Sequence, residues 1–458
     1  KQMIIAPGDP LEPKRLTENE RILRRNGYLV DAMILPHKVC GDAIELLVVV
    51  RDIWTFSPSV NASRSGGEES TGAGITESNL FGTGQRLSLG YFQDADRNGT
   101  IFSFTSPQVV ERVRFGTTLN DNSDGEVISY ELVRPFYELD GRWSAGAYGQ
   151  VDNSIQTIKV NNVEVNQYRR HSDDLTVFGG WSPGRQQGHV NRWYLGFSEE
   201  LDQFEAVADT TSLPGDNTLR YPWLAWGYQK DRFLTAENIN RTHRQEDIQL
   251  GYSHYLQIGY ASTAIDSDEN AWTFDARASH TAWLEPFHLI TTSAYATGQR
   301  NSDSVRDTFF GAGVRYVYII NEKNRWYLRS YFDGGRNIRQ DEQFTIGGLA
   351  NLRGYPNDYQ RGNRRWVVSA ERRRFTDWHI FNLLYFGYAG YLDTGRAWDT
   401  ETPGAPETDT LADIGFGLRF SPSKFRIDKV IHVDIAAPLV NVDEVDDYQL
   451  IVTGSVDF

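Results

Sequence analysis

From Trp54 onward the chain keeps to one pattern, in which short segments alternate apolar and polar residues between turns rich in Gly, Asn, Asp and Pro. GQRLSLGYF (84–92), RWSAGAYGQ (142–150), NRWYLGFSE (191–199), FFGAGVRYVYI (309–319) and NRWYLRSYF (324–332) are clear cases. A period of two sends successive side chains to opposite faces of a strand. In the last segment Trp326, Leu328, Ser330 and Phe332 share one face, and Arg325, Tyr327, Arg329 and Tyr331 the other. No helical periodicity interrupts this, so the strands cannot be joined as βαβ units.

Composition separates the remaining closures. No run of eighteen apolar residues occurs, which excludes a membrane-crossing helix. A soluble sandwich would bury more Leu, Ile and Val, and a propeller would show a fixed repeat, which is absent. A transmembrane strand shows lipid only every second side chain, so its mean hydropathy stays modest. Trp143, Trp193, Trp223, Trp272, Trp326, Trp366 and Trp398 stand near segment ends, as interfacial girdles require. The pattern predicts an all-β fold, a transmembrane antiparallel barrel, with about twenty segments between 57 and 458. YQLIVTGSVDF (448–458) reads as its closing strand, with Val456 and Phe458 on one face.

Residues 1–55 differ. LTENERILRRNGYL (16–29) predicts a helix with capping-box spacing at Thr17 and Glu20 and a stop at Gly27. YLVDAMIL (28–35) and AIELLVVV (43–50) predict two strands. No signal sequence is visible at Lys1-Gln2-Met3, as expected of a mature or truncated exported chain.

Several function classes are disfavoured. The net charge of −15 argues against nucleic-acid binding. Cys40 is the only cysteine, so neither an intrachain disulfide nor a cysteine metal cluster can form. No enzyme motif occurs, and no cofactor is expected. His243, His254, His280 and His288 share a region without metal-set spacing, and pairing His280 or His288 with a serine as a phospholipase is a weak reading beside a structural one. The acidic EVDD (444–447) and 399–409 stretches read as solvated loops, and RTHR (241–244) as a local basic run.

One loop does not fit a plain wall. IGGLANLRGYPNDYQRGN (346–363) is long and rich in Gly and Asn, and it sets Arg353 within LRGY (352–355). YLDTG (391–395) follows two segments later, and RRWVVSAERRRF (364–375) lies between with Glu371. In this order the motifs resemble those of the BamA/TamA/TpsB superfamily of outer-membrane insertases and translocators. NLFGTGQRLSLGY (79–91) and TIFSFTSPQVV (100–110) are similar to early strands of its barrel. Taken singly, Arg353, Asp393 and Glu371 read as surface-loop and lumen charges; the resemblance rests on their order.

The resemblance implies a POTRA-like periplasmic module over 1–55, incomplete at its start, and an outer-membrane barrel over 56–458. Sixteen strands is the family count. It further implies that loop 340–363 folds into the lumen, where Arg353 meets Asp393 and Glu371, Gly354 turns the backbone and Tyr355 packs on the inner wall. A guanidinium in a partly dry lumen needs carboxylate partners, and its planar fork suits a pair of them. The family's seam of first and last strands falls near 57–65 and 448–458, with Ser59, Asn61 and Ser63 on the first and Gly454, Val456 and Phe458 on the last. Opening it would offer a strand edge to a polypeptide client by β-augmentation. The partners implied are that client and outer-membrane lipids. A plugged or gated solute pore, and a structural barrel that self-associates or organises lipid, are the alternatives.

Overall fold

The computed structural model describes residues 2–453, apart from 66, 161–162, 240–244, 303, 350, 403, 406, 425–429 and 441–444. Among them, twenty strands close one antiparallel barrel. Each pairs with the next in chain order, from Phe56–Ser65 with Glu68–Leu80 to Ile431–Pro438 with Gln449–Thr453, and the last meets the first. The family count of sixteen is therefore corrected to twenty, the number of alternating segments the chain supplies. A two-residue strand, Arg185–Gln186, only extends a turn.

The alternation does what the pattern requires. On Asn324–Arg336, Trp326, Leu328 and Phe332 are exposed on the outer wall, while Arg325 and Tyr327 are buried inside. Trp143, Trp181, Trp193 and Trp226 form a row across neighbouring strands, with Trp193 and Trp226 stacked 5.7 Å apart. Trp272 is also exposed, and Trp366 and Trp398 alternate with the buried Val367 and Ala397. Trp223 departs from the expected girdle. It alternates with the outward Leu224, so it lies inside, buried, and its Nε1 donates to Ser198 Oγ at 3.0 Å. The run ERRRF likewise divides by parity: Glu371 and Arg373 are buried inside, whereas Arg372 lies over the outward Trp326 ring.

The N-terminal module is one helix, Pro13–Arg24, and a hairpin of Leu29–Cys40 with Ala43–Asp52. The helix begins earlier than Thr17 because Pro13 sits at its first turn, where a missing N–H costs nothing. The expected capping box is absent. Thr17 Oγ1 donates to Pro13 O, and Glu20 Oε1 accepts from Ile34 N at 2.7 Å, tying helix to hairpin. Leu23, Leu29, Ala32 and Ile34 form the small core.

The barrel has a mouth on the module's side and a far mouth. A short hairpin sits in each: Phe233–Glu237 with Gln245–Gln249 near the module, and Phe344–Ile346 with Gln360–Gly362 at the far end.

Candidate functional site

The far-end loop is folded before it is anchored. Ile346 pairs with Gln360, and Asn351 closes the turn between them, its Oδ1 accepting from Gly347 N and Leu352 N and its Nδ2 donating to Thr345 O. Gly347 has φ +121°, and a Cβ there would strike the Pro356 carbonyl, so only glycine serves. Gly354 lies so near the wall that a Cβ would come 2.5 Å from Asp413 Cβ. Ile346, Leu352 and Tyr355 are fully buried against Val367, Ala397 and Leu411 of the inner wall. The Tyr355 hydroxyl donates to Ala412 O at 2.9 Å.

This packing carries Arg353 into the lumen. Its Nε and Nη2 reach the two oxygens of Asp393 at 2.8 and 3.1 Å, and Nη1 reaches Glu371 Oε2 at 2.9 Å. The guanidinium lies over the Tyr391 ring, 3.2 Å from its centroid. Arg353, Glu371 and Asp393 are 3%, 1% and 0% exposed. Burial opposes the charge on Arg353, but Asp393 and Glu371 outweigh it and hold the group well above its ordinary pKa. The paired carboxylates are thus compensated, and removing the arginine would leave the buried Asp393 without the cation that forks it.

Sequence reasoning found these three and missed the ring around them. Glu371 also accepts from Arg373 Nε at 2.6 Å and Arg419 Nη2 at 3.4 Å. Arg419 in turn pairs with Asp434. Ser369 Oγ donates to Asp393. The available signal was parity: Arg419 and Asp434 alternate with the outward Leu418 and Ile435, so a lipid-facing barrel must turn them inward.

The seam is less completely described. Val452 opposite Arg64 is its one register pair among the described residues, whereas the first strand pairs with the second from Phe56–Glu77 to Ser65–Glu68. Ser59, Asn61 and Ser63 occupy alternate positions on the first strand, opposite Gly74, Gly72 and Ser70 of the second. Pro58 removes a ladder donor, a residue type that sheets tolerate at an edge. Gly454, Val456 and Phe458 lie outside the described residues, as do RTHR (241–244) and Glu444.

No protein-family model and no curated protein matches the sequence. Solved structures do. CdiB from Acinetobacter baumannii is similar over 99% of this chain and 69% of its own, at 13% identity and a TM-score of 0.50.

The chain shares its barrel fold with CdiB.

CdiB from Escherichia coli is similar at 12% identity, over 99% of this chain and 73% of its own, with a TM-score of 0.47. BamA from Haemophilus ducreyi lacking POTRA domains 1–3 is similar at 15% identity, over 99% and 80%, with a TM-score of 0.43. Among the described residues this barrel has twenty strands and a loop that reaches the inner wall through Arg353.

Proposed function

We propose that this chain moves polypeptide across or into the bacterial outer membrane, with the 1–55 module in the periplasm as a POTRA-like element and 56–458 as the membrane barrel. The observation that carries the reading is the seating of Arg353 on Asp393 and Glu371, at the positions that the motif resemblance selects. The anchored loop fills the lumen beside strands Arg364–Ile380 to Leu411–Pro422. A polypeptide can then pass only if that loop shifts, or if the first and last strands part and present an edge. No covalent chemistry is called for.

A gated solute pore is the second reading, favoured by open space on the other side of the lumen. A cavity of about 850 Å³ lined by Tyr194, Tyr255, Arg277 and Tyr295 adjoins one of about 690 Å³ lined by Glu200, Trp223 and Arg339.

Comparative outer-membrane and secretome proteomics of a strain lacking the chain, with wild-type and Arg353→Ala rescues, tests the proposal. Loss of one secreted or surface protein names a dedicated client, and loss of many barrel proteins marks an insertase. An unchanged proteome rejects polypeptide transport and leaves the pore.

A further inference from the structure

We propose that Arg372 and Arg374, on the outer face of strand Arg364–Ile380, hold the phosphate of an anionic glycerophospholipid in the leaflet on the module's side. This goes beyond the transport reading, on which it rests only for the periplasmic side of the module.

Parity puts both side chains on the outer wall. Glu371 and Arg373 are buried in the lumen, while Arg372 and Arg374, at the alternate positions, are exposed. The strand starts beside the far loop and ends at Ile380, in a turn where Leu383 O accepts from Ser423 N at 2.8 Å. The neighbouring Lys424 O accepts from Trp54 N at 3.1 Å, in the link between the module and the first barrel strand. The two arginines therefore stand toward the module's mouth.

Their surroundings face lipid. Register sets Tyr318, Trp326, Arg372, Gly390, Phe416 and Ile435 side by side on neighbouring strands. Trp326, Phe416 and Ile435 are exposed, and Arg372 is the only charge in that row. The next row toward the module brings Asn324, Arg374, Tyr388 and Leu418 together. Beyond it, Trp378 stacks on Phe386 at 5.6 Å, and Phe381 at the turn is exposed. Tryptophan and tyrosine mark the depth of lipid headgroups. A cation on an outward strand position is destabilising near mid-bilayer and tolerated at that depth.

The wall supplies no counter-charge. Among the described residues neither guanidinium has a carboxylate partner, and Asp377, further along the strand, is paired with Lys323. Arg372 rests over the Trp326 ring, 5.6 Å from its centroid. Two residues on one face of a strand stand about 7 Å apart, so two planar forks are offered to one headgroup. Guanidinium matches phosphate oxygens in pairs. A place for an acyl chain adjoins. Gly390 lies between Arg372 and Phe416, and a Cβ there would meet only Gly415 O, at 4.0 Å, so the wall dips. The exposed Leu392 and Ile414 carry the apolar surface on toward the far mouth. Cations toward the module and apolar wall toward the far mouth fit a lipid of the module-side leaflet, whereas a free phosphate would need no such wall.

The test is native mass spectrometry of the purified full chain released from mixed micelles of phosphatidylglycerol, phosphatidylcholine and lipid A, with heat-modifiable migration certifying a closed barrel. Wild type is expected to retain several-fold more phosphatidylglycerol than phosphatidylcholine. Arg372→Gln combined with Arg374→Gln should abolish that preference. Lysine at both positions should restore only part of it, because an ammonium cannot fork. Gly390→Leu should weaken retention with both arginines in place. A closed double-glutamine barrel that keeps the wild-type preference would overturn the proposal, as would lipid A held in preference to phosphatidylglycerol. Should the double variant fail to close, a wild-type chain without the preference, or a closed Gly390→Leu chain that keeps it in full, would do the same. No client enters this assay, so a failure of the transport reading shows only in the proteome and a failure of the lipid site only in the retained lipid.

Discussion

At the far mouth, Arg353 and Asp393 meet at 3% and 0% side-chain exposure, inside a ring that adds Glu371, Arg373, Arg419 and Asp434. At the module's mouth, Arg24 and Asp247 make an equally well-formed fork at 8% and 12% exposure. The geometry of the two forks is alike; what differs is the cost of opening them. Pulling Arg353 away strands a carboxylate that water cannot reach, whereas Arg24 and Asp247 are less fully enclosed. The far fork is therefore the stiffer of the two.

Arg353→Ala should break the stiff end most severely. The loss of a buried partner costs about 3–5 kcal/mol, read as a marked fall in the temperature of heat-modifiable migration and as new protease cleavage within 346–363. Arg24→Ala should cost less, about 1.5–3 kcal/mol for charge-assisted bonds nearer the surface, and should expose 233–249 to protease while 346–363 stays protected. Should the two variants prove equal, the contrast between the ends is gone. Gly354→Ala forces a methyl toward Asp413 and should cost about 1–3 kcal/mol at the far loop alone. Tyr355→Phe removes the hydroxyl that donates to Ala412 O and, at longer range, to Val440 O, about 1 kcal/mol by the same thermal readout.

The smallest effect is one of pH. Burial pushes Glu342 in the far loop up to about 7, with Arg339 opposing and Asp341 and Asp307 adding to the rise. A carboxyl whose pKa is higher in the folded loop favours the closed loop while protonated. Protection of 337–343 should therefore decline as pH rises from about 4.5, an exposed glutamate's value, to about 7, and level off above it. Glu342→Gln should flatten that slope in a protease-protection titration.

Much of the barrel and of the far lock was legible in the sequence because both rest on local rules. Alternation fixes which side chains face lipid, and LRGY, YLDTG and Glu371 stand at offsets that the wall's pairing brings together. The strand number was legible as well, since the chain's own segments count about twenty and only the family's sixteen misled. Two features were hidden. Trp223 was assigned to a girdle from its place near a segment end, although parity against Leu224 turns it inward. The hairpin at 233–249 alternates as a wall strand does, and nothing in FLTAE or QEDIQ says which sheet will take it. Only the pairing partner decides that, and strand pairing is not a local property.

The most direct measurement is photocrosslinking in living cells from a reactive residue placed at Tyr295 in the lumen or at Val60 on the first strand, with Leu224 on the lipid face as the control. The account predicts polypeptide adducts from Tyr295 or Val60, more abundant in the Arg353→Ala background, and none from Leu224. Adducts to lipid alone from all three positions, in both backgrounds, would contradict it.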